Sequence, residues 1–365
     1  MTTCGTTAGP TPGPRRTRNA LVLSTKAPFL EGGAETLARE LVTSLRRGGL
    51  RADLIEIPFF PAPIEAVLSA IQLARLTDIG HTNFGPVDVV IGLKFPAYLV
   101  PHDNKVLWLL HQYRQMYELW NEPGIGFSSI ASAEELQAAV HSADRQAIPE
   151  HRKVFALSGA VRERLRMYCG CDAEVLYPPI PDMGNYHAEQ SANFFFFPSR
   201  ITPLKRQALV VEALAKTRQS VCVRMAGEPD TEAELAHMTG RAESLGVCER
   251  LTIEGFISVP TKRDLYARCI GVVFPSRLED YGFVAAEAML SSKPVICCSD
   301  SGGVLELVVH GESGLVVEPT PEAIADALDC LWADRALARR LGAAGKERIT
   351  ALAPTWEVVT TRLLA

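Results

Sequence analysis

The 365-residue sequence predicts two α/β domains, each a doubly wound parallel sheet, facing one another across a cleft. Three observations carry this prediction. Short apolar runs of strand length alternate with helical stretches along nearly the whole chain. These runs are continuously apolar, as in strands covered on both faces. The alternation is interrupted once, by the Pro-rich polar stretch YPPIPDMGNYHAEQSA at 177–192, and then restarts.

Residues 1–18, rich in Thr, Gly and Pro, cannot build a core and are expected to form a disordered tail. The first half, 19–180, then reads strand NALVLST, a loop containing Gly32 and Gly33, a helix from Thr36 to Arg47, and strand RADLIEIPF. Helix IEAVLSAIQLARL, strands VDVVIGL, KVLWLLH and KVFALS, and helix AVRERLRMY follow. The linker is placed at 181–192. The second half, 193–350, runs NFFFFPS, helix 206–217, SVCVRMAG, helix 231–245, RLTIEGF, helix 261–268, GVVFPS, helix 282–290, KPVICCSD and GLVVEP. A short amphipathic helix at 354–365, after Pro354, is expected to dock back across the domains.

Composition narrows the function. An apolar share of 47% and a charged share of 22% suit a soluble protein with two cores. The net charge of −5 divides as −1 over residues 1–187 and −4 over 188–365, so no basic half exists for nucleic acid. Nine cysteines lack paired C-x-x-C spacing, which suits neither a zinc site nor a disulfide framework; reduced thiols in a cytoplasmic protein are expected. No secretory signal and no apolar run of spanning length is present, while the basic helix LARELVTSLRRGG (37–49) reads as a solvated face or a peripheral membrane contact. The motifs H-E-x-x-H, G-x-x-x-x-G-K-[ST], G-x-S-x-G and G-x-G-x-x-G are all missing, as is a paired-aspartate metal motif, and no metal ligands are assigned.

The segment FPSRLEDYGFVAAEAML reads as strand, loop and helix, with Glu279 in the loop and Glu287 on the helix about 7 Å beyond Gly282. Free N–H groups at Tyr281, Gly282 and Phe283 would take a phosphate, and carboxylates on either side accept hydrogen bonds from sugar hydroxyls. That pattern fits a nucleotide sugar. Arg200 and Lys205, in PSRITPLKR after the first strand of the second half, would open toward the same sheet edge and neutralise a departing diphosphate. Gly33 lets the backbone of the opposite domain approach, His111 ends a strand at the cleft, and Arg114 and Tyr117 are expected on the same wall. Gly227 and Glu228 end another strand near the nucleotide. Glu306 either caps a helix or braces the site.

With these residues assembled, the chain resembles the retaining glycosyltransferases of the GT-B fold, family 4, most strongly from Asn193 to Pro319. The acid pair with seven residues between, SRITPLK, and KPVICCSDSGGVLELVVHGESGLVVEP carry the resemblance. It implies two Rossmann-like domains with Glu287 on the donor ribose, Glu279 beside the reacting sugar, and Arg200 and Lys205 as the diphosphate clamp. Gly282, Phe283 and Val284 would assist through their backbones, His111 would reach the donor sugar, and Gly255, Phe256 and Ile257 would line the base. Ser291, Ser292 and Lys293 depart from the family's glycine-containing turn.

The implied activity is metal-independent transfer of a sugar, without a cofactor, from a nucleoside diphosphate to a hydroxyl on a glycan, glycolipid or small molecule. A UDP-sugar is the first expectation for the donor and GDP-mannose the second. A sugar-nucleotide epimerase and a catalytically silent nucleotide-sugar-binding subunit are the rival readings.

Overall fold

The computed structural model describes residues 16–28, 32–60, 63–130 and 132–365, so most of the expected N-terminal tail lies outside the described residues. The first domain contains β1 (Asn19–Lys26), α1 (Gly33–Arg47), β2 (Arg51–Pro58), α2 (Ile64–Leu76), a small hairpin of β3 (His81–Thr82) and β4 (Gly85–Pro86), β5 (Val89–Lys94), β6 (Lys105–His111), α3 (Ala133–Ala147), β7 (Lys153–Ala156), α4 (Gly159–Cys169) and β8 (Glu174–Val175). The second contains β9 (Phe195–Pro198), α5 (Gln207–Leu214), β10 (Val223–Ala226), α6 (Glu232–Ser244), β11 (Leu251–Ile253), α7 (Val259–Arg268) and β12 (Val272–Val273). It continues through α8 (Phe283–Leu290), β13 (Val295–Cys298), α9 (Val304–Leu307), β14 (Gly314–Val317), α10 (Pro321–Ala333), α11 (Arg335–Leu352) and α12 (Trp356–Leu364).

Each domain holds one parallel six-stranded sheet, ordered β2-β1-β5-β6-β7-β8 in the first and β11-β10-β9-β12-β13-β14 in the second. The strand order reverses between β1 and β5 in one sheet and between β9 and β12 in the other. Ligands of wound sheets sit beyond the carboxyl ends at such reversals. The fold is GT-B.

The strands are apolar because helices cover both faces. Phe195, Phe196 and Phe197 of β9 are fully buried. Each such side chain contributes about 2–3 kcal/mol relative to exposure. Trp108, on β6, is also fully buried, and Trp356 of α12 meets it edge-on at 6.3 Å while donating its indole N–H to Glu40 of α1 at 3.2 Å. The C-terminal helix therefore lies against the first domain. On α1, Arg46 bonds the Ala52 carbonyl at 2.8 Å and pairs with Asp53 at 3.2 Å, so part of the helix's basic face is spent within the fold.

Helices α10 and α11 complete the cover of the second sheet, and α3 lies between β6 and β7, where no helix was named from the sequence. All eight described cysteines are free thiols. Among the described residues, no helix is long and apolar enough to cross a membrane.

Candidate active site

A cavity of about 370 Å³ opens between the carboxyl edges of the two sheets. Gly32, Gly33, Leu110, His111 and Leu157 line it from the first domain; Ser199, Arg200, Lys205, Phe274 and residues 279–284 line it from the second. Two helices begin at this cavity. Among the described residues neither α1 nor α8 has a side-chain cap at its N-terminus; α2, α3, α5 and α9 lack one too, while α4, α6, α7, α10, α11 and α12 are each capped by a Ser, Thr or Asp. First-turn N–H groups without a capping acceptor, at the positive ends of two helix dipoles, make the space between them favourable for an anion.

Glycine is needed at the start of α8. Gly282 has φ +101°, and a Cβ there would lie 2.6 Å from Cγ2 of Val304. Gly33 brings the other helix close: a Cβ would sit 3.3 Å from the Phe283 ring.

The backbone of Glu279 is clamped from the Ser301-Gly302-Gly303 turn. Its N–H donates to the Ser301 carbonyl at 3.2 Å, and its own carbonyl accepts from Gly303 N–H at 2.8 Å. Leu278, just before it, holds a left-handed φ of +54°. A non-glycine residue there stores strain of about 1–3 kcal/mol. Arg114, from the first domain, donates to the Leu278 carbonyl at 2.7 Å and so supports that conformation.

The Lys205 ammonium bonds the Glu279 carboxylate directly, and its Nζ lies 5.2 Å from the Phe274 ring centre. Both partners are largely shielded, with side chains 22% and 17% exposed. Arg200 reaches the cavity wall with its guanidinium turned onto Asp230 at 2.6 Å and its side chain 54% exposed. The two cations therefore sit at the same cavity, but only Lys205 is engaged with the acid at its centre.

His111 is held for a neutral role. Its Nδ1 is 2.8 Å from the Gln112 carbonyl. A carbonyl only accepts, so Nδ1 carries the proton and Nε2 keeps a lone pair. Burial lowers its pKa, Asp280 opposes that shift, and Lys94 adds to it. Burial also works against the charge on Asp280, but Arg114 and Arg164 outweigh it and hold that carboxyl well below the usual range. Arg164 bonds Asp280 at 2.6 Å and Glu118 at 2.5 Å, and Ser158 donates to the Asp280 carbonyl at 2.5 Å. Asp280 is thus a joint between the domains, a role its sequence position did not signal.

Other expected residues lie elsewhere. Glu287 does not line the cavity: Lys262 binds its carboxylate at 2.8 Å and the Tyr266 hydroxyl donates to it at 2.8 Å. Gly227, with φ +146°, packs its backbone on Ser199, outside the cavity lining. Phe256 is 78% exposed and Ile257 half-buried, both also outside the lining. Tyr117, expected on the cleft wall, turns into the core, where its hydroxyl donates to the fully buried Asp144 at 2.7 Å.

Glu306 caps a helix of the other domain. Its carboxylate accepts from the N–H groups of Gly159 at 2.9 Å and Ala160 at 2.8 Å, and from the Tyr177 hydroxyl at 2.8 Å. Of the two alternatives the sequence left, capping a helix is the one seen; the cap crosses between the domains, and Glu306 is not among the residues lining the cavity. No group of three or more His, Cys, Asp or Glu able to hold a metal lies among the described residues.

The sequence model described as "Glycosyl transferases group 1" matches residues 182–348. An uncharacterized glycosyltransferase of Methanocaldococcus jannaschii is 30% identical over 353 residues, covering 86% of this chain and 89% of the relative. The chain belongs to the group 1 glycosyl transferases. This group 1 chain is also 29% identical over 244 residues to D-inositol 3-phosphate glycosyltransferase 1 of Catenulispora acidiphila, but that match takes in 62% of the chain and only 58% of the relative's length. Among solved structures, sucrose-phosphate synthase from Thermosynechococcus elongatus superposes with a TM-score of 0.76 at 18% identity, covering 95% of this chain and 97% of that one. HepE from Anabaena, solved with UDP and glucose, gives a TM-score of 0.69 at 18% identity, covering 95% and 98%. These two likenesses concern the fold.

Proposed function

We propose that the chain is a retaining glycosyltransferase that moves a sugar from a nucleoside diphosphate to an acceptor hydroxyl without a metal ion. The observation that carries this reading is the convergence of two uncapped helix N-termini and Lys205 on one interdomain cavity. An anion there meets positive ends from both domains, and a diphosphate is the anion that suits a cavity also lined by a carboxylate and a neutral histidine.

In this reading Lys205 leaves Glu279 for the diphosphate when donor binds. Arg200 swings from Asp230 to join it, a small cost for a half-exposed pair. Freed from the lysine, Glu279 accepts hydrogen bonds from the transferred sugar, and His111 Nε2 accepts another. Glu287, steadied by Lys262 and Tyr266, holds the ribose, with Phe256 and Ile257 near the base and Gly227 shaping the adjoining turn. The bond from the anomeric carbon to the diphosphate oxygen breaks. Its electrons stay on the diphosphate, the acceptor oxygen bonds the same face of the carbon, and the acceptor proton passes to a phosphate oxygen. The protein supplies orientation and charge stabilisation.

A UDP-sugar is the first donor to test, since a protein of the same fold holds UDP and glucose; GDP-mannose is the second. The acceptor is a hydroxyl-bearing glycan, glycolipid or small molecule entering from the first domain. Release of nucleoside diphosphate from a panel of donors and acceptors, with and without chelator, tests the reading. Lys205→Ala should lower kcat by about 10²–10³-fold with the fold intact. Turnover near that of the wild type would remove Lys205 from the mechanism.

A further inference from the structure

A second cavity, of about 650 Å³, lies at the opposite edge of the second sheet from the active site. Asn193, Ile270 and Lys293 line it, and each precedes a strand: β9, β12 and β13 respectively. Three cations, Lys293, Arg335 and Arg339, face one carboxylate, Glu189. That carboxylate is already paired with His187 at 3.1 Å.

Lys293 makes the cavity unusual. It is 4% exposed, and among the described residues its ammonium reaches only the Glu189 carbonyl and the Ser191 hydroxyl, each at 3.5 Å. Both distances lie beyond the ordinary range for such bonds, and an ammonium buried without close acceptors is costly. The fold nevertheless holds it there. Ser292 adopts a left-handed φ of +53°, and the turn packs directly on Gly342 of α11, where a Cβ would collide with the Ser292 carbonyl. This is the Ser291-Ser292-Lys293 turn that departs from the family's glycine-containing pattern.

Two guanidinium groups stand around it. Arg335 donates to the Trp332 carbonyl at 2.8 Å and to Asn193 Oδ1 at 3.3 Å, which leaves donors of its fork unused. The side chain of Arg339, four residues on and exposed, has no hydrogen bond or ion pair among the described residues. An ammonium at depth with two guanidinium forks at the mouth matches a tetrahedral oxyanion carrying several acceptor oxygens.

We propose that this basal cavity binds a small phosphate-bearing molecule, with Lys293 on the phosphate from within and Arg335 and Arg339 closing on it from α11. The volume exceeds the needs of a bare phosphate and suits a sugar phosphate. Because Glu189 and Ser191 belong to the segment joining the domains, the bound molecule also bears on that connector. Burial lowers the Lys293 pKa, and a neighbouring anion would oppose that shift.

The test is calorimetric titration of the whole chain with inorganic phosphate and with glucose 6-phosphate, at ionic strength held constant with chloride. Saturable binding is expected in the wild type and in Lys205→Ala, which removes one of the two cations at the interdomain cavity. Affinity should fall at least roughly tenfold in Lys293→Met and in Arg339→Ala, the loss expected for one charge-assisted hydrogen bond. Arg339 lies on an exposed helix face, so its variant carries the test if Lys293→Met does not fold. Absence of saturable binding to the wild type would overturn the proposal. So would binding that Lys205→Ala abolishes while Arg339→Ala leaves it unchanged, since the anion would then sit in the active site.

Discussion

Replacing Glu306 by alanine should loosen the two domains without unfolding either. In the structure its carboxylate takes two backbone N–H groups from the first turn of α4 and the Tyr177 hydroxyl, all at 2.8–2.9 Å. A charge-assisted bond of this kind contributes about 1.5–3 kcal/mol. Helix α4 would keep its own cap, because Ser158 still accepts from Val161 N–H at 3.1 Å. Water can solvate the two N–H groups once the domains part, so the loss falls on docking rather than on the helix. Taking the lower figure for each of the two N–H bonds, as the half-buried position warrants, gives about 3 kcal/mol, or roughly a hundredfold rise in the open population. Cleavage of the connector by a protease at limiting concentration reads that population. Glu306→Gln should not rescue, since its amide NH₂ would face a backbone donor. A Glu306→Ala protein cut at the wild-type rate, with unchanged small-angle scattering, would refute the brace.

Glu279→Gln should slow transfer by about 10²-fold while donor binding changes little, whereas Glu287→Gln should mainly raise donor KM; steady-state kinetics separate the two. Gly282→Ala should cost at least about 3 kcal/mol in urea unfolding or abolish donor binding, because a side chain at φ +101° is strained and its Cβ meets Val304. His151 carries a pH prediction: burial, aided by Lys105, lowers its pKa to about 4. Its neutral form therefore stabilises the fold fully above pH ~6.5, and that contribution falls by up to about 3 kcal/mol as pH drops toward 4, where the folded state also takes the proton. His151→Gln should flatten this part of the stability profile relative to wild type, and parallel profiles from pH 7 to 4.5 would show that His151 is not the group responsible.

Much of the candidate cavity's lining was legible in the chain because its signals are local. Glu279, Gly282, Phe283 and Val284 reach the cavity through one strand-loop-helix unit, and the apolar run, the glycine and the helical stretch that build it are contiguous. Arg200 and Lys205 follow from the same logic after β9, the strand beside β12 in the sheet. What stayed hidden depends on partners far away in sequence. Arg200 rests on Asp230, Glu287 is held by Lys262 and Tyr266, and Tyr117 leaves the cleft for Asp144. Helix α3, between β6 and β7, was not named from the sequence.

By itself the sequence determined two wound sheets, their order of elements along the chain and the residues at their carboxyl edges, since apolar runs and helical periodicity reflect burial of each segment's own faces. Only the tertiary structure decided that the first sheet reverses between β1 and β5, that Asp280 and Glu306 join the domains, and that Lys293 is buried beside two arginines. Those outcomes rest on contacts between residues up to 147 apart, and pairings at that separation leave no periodic trace in either partner's own neighbourhood.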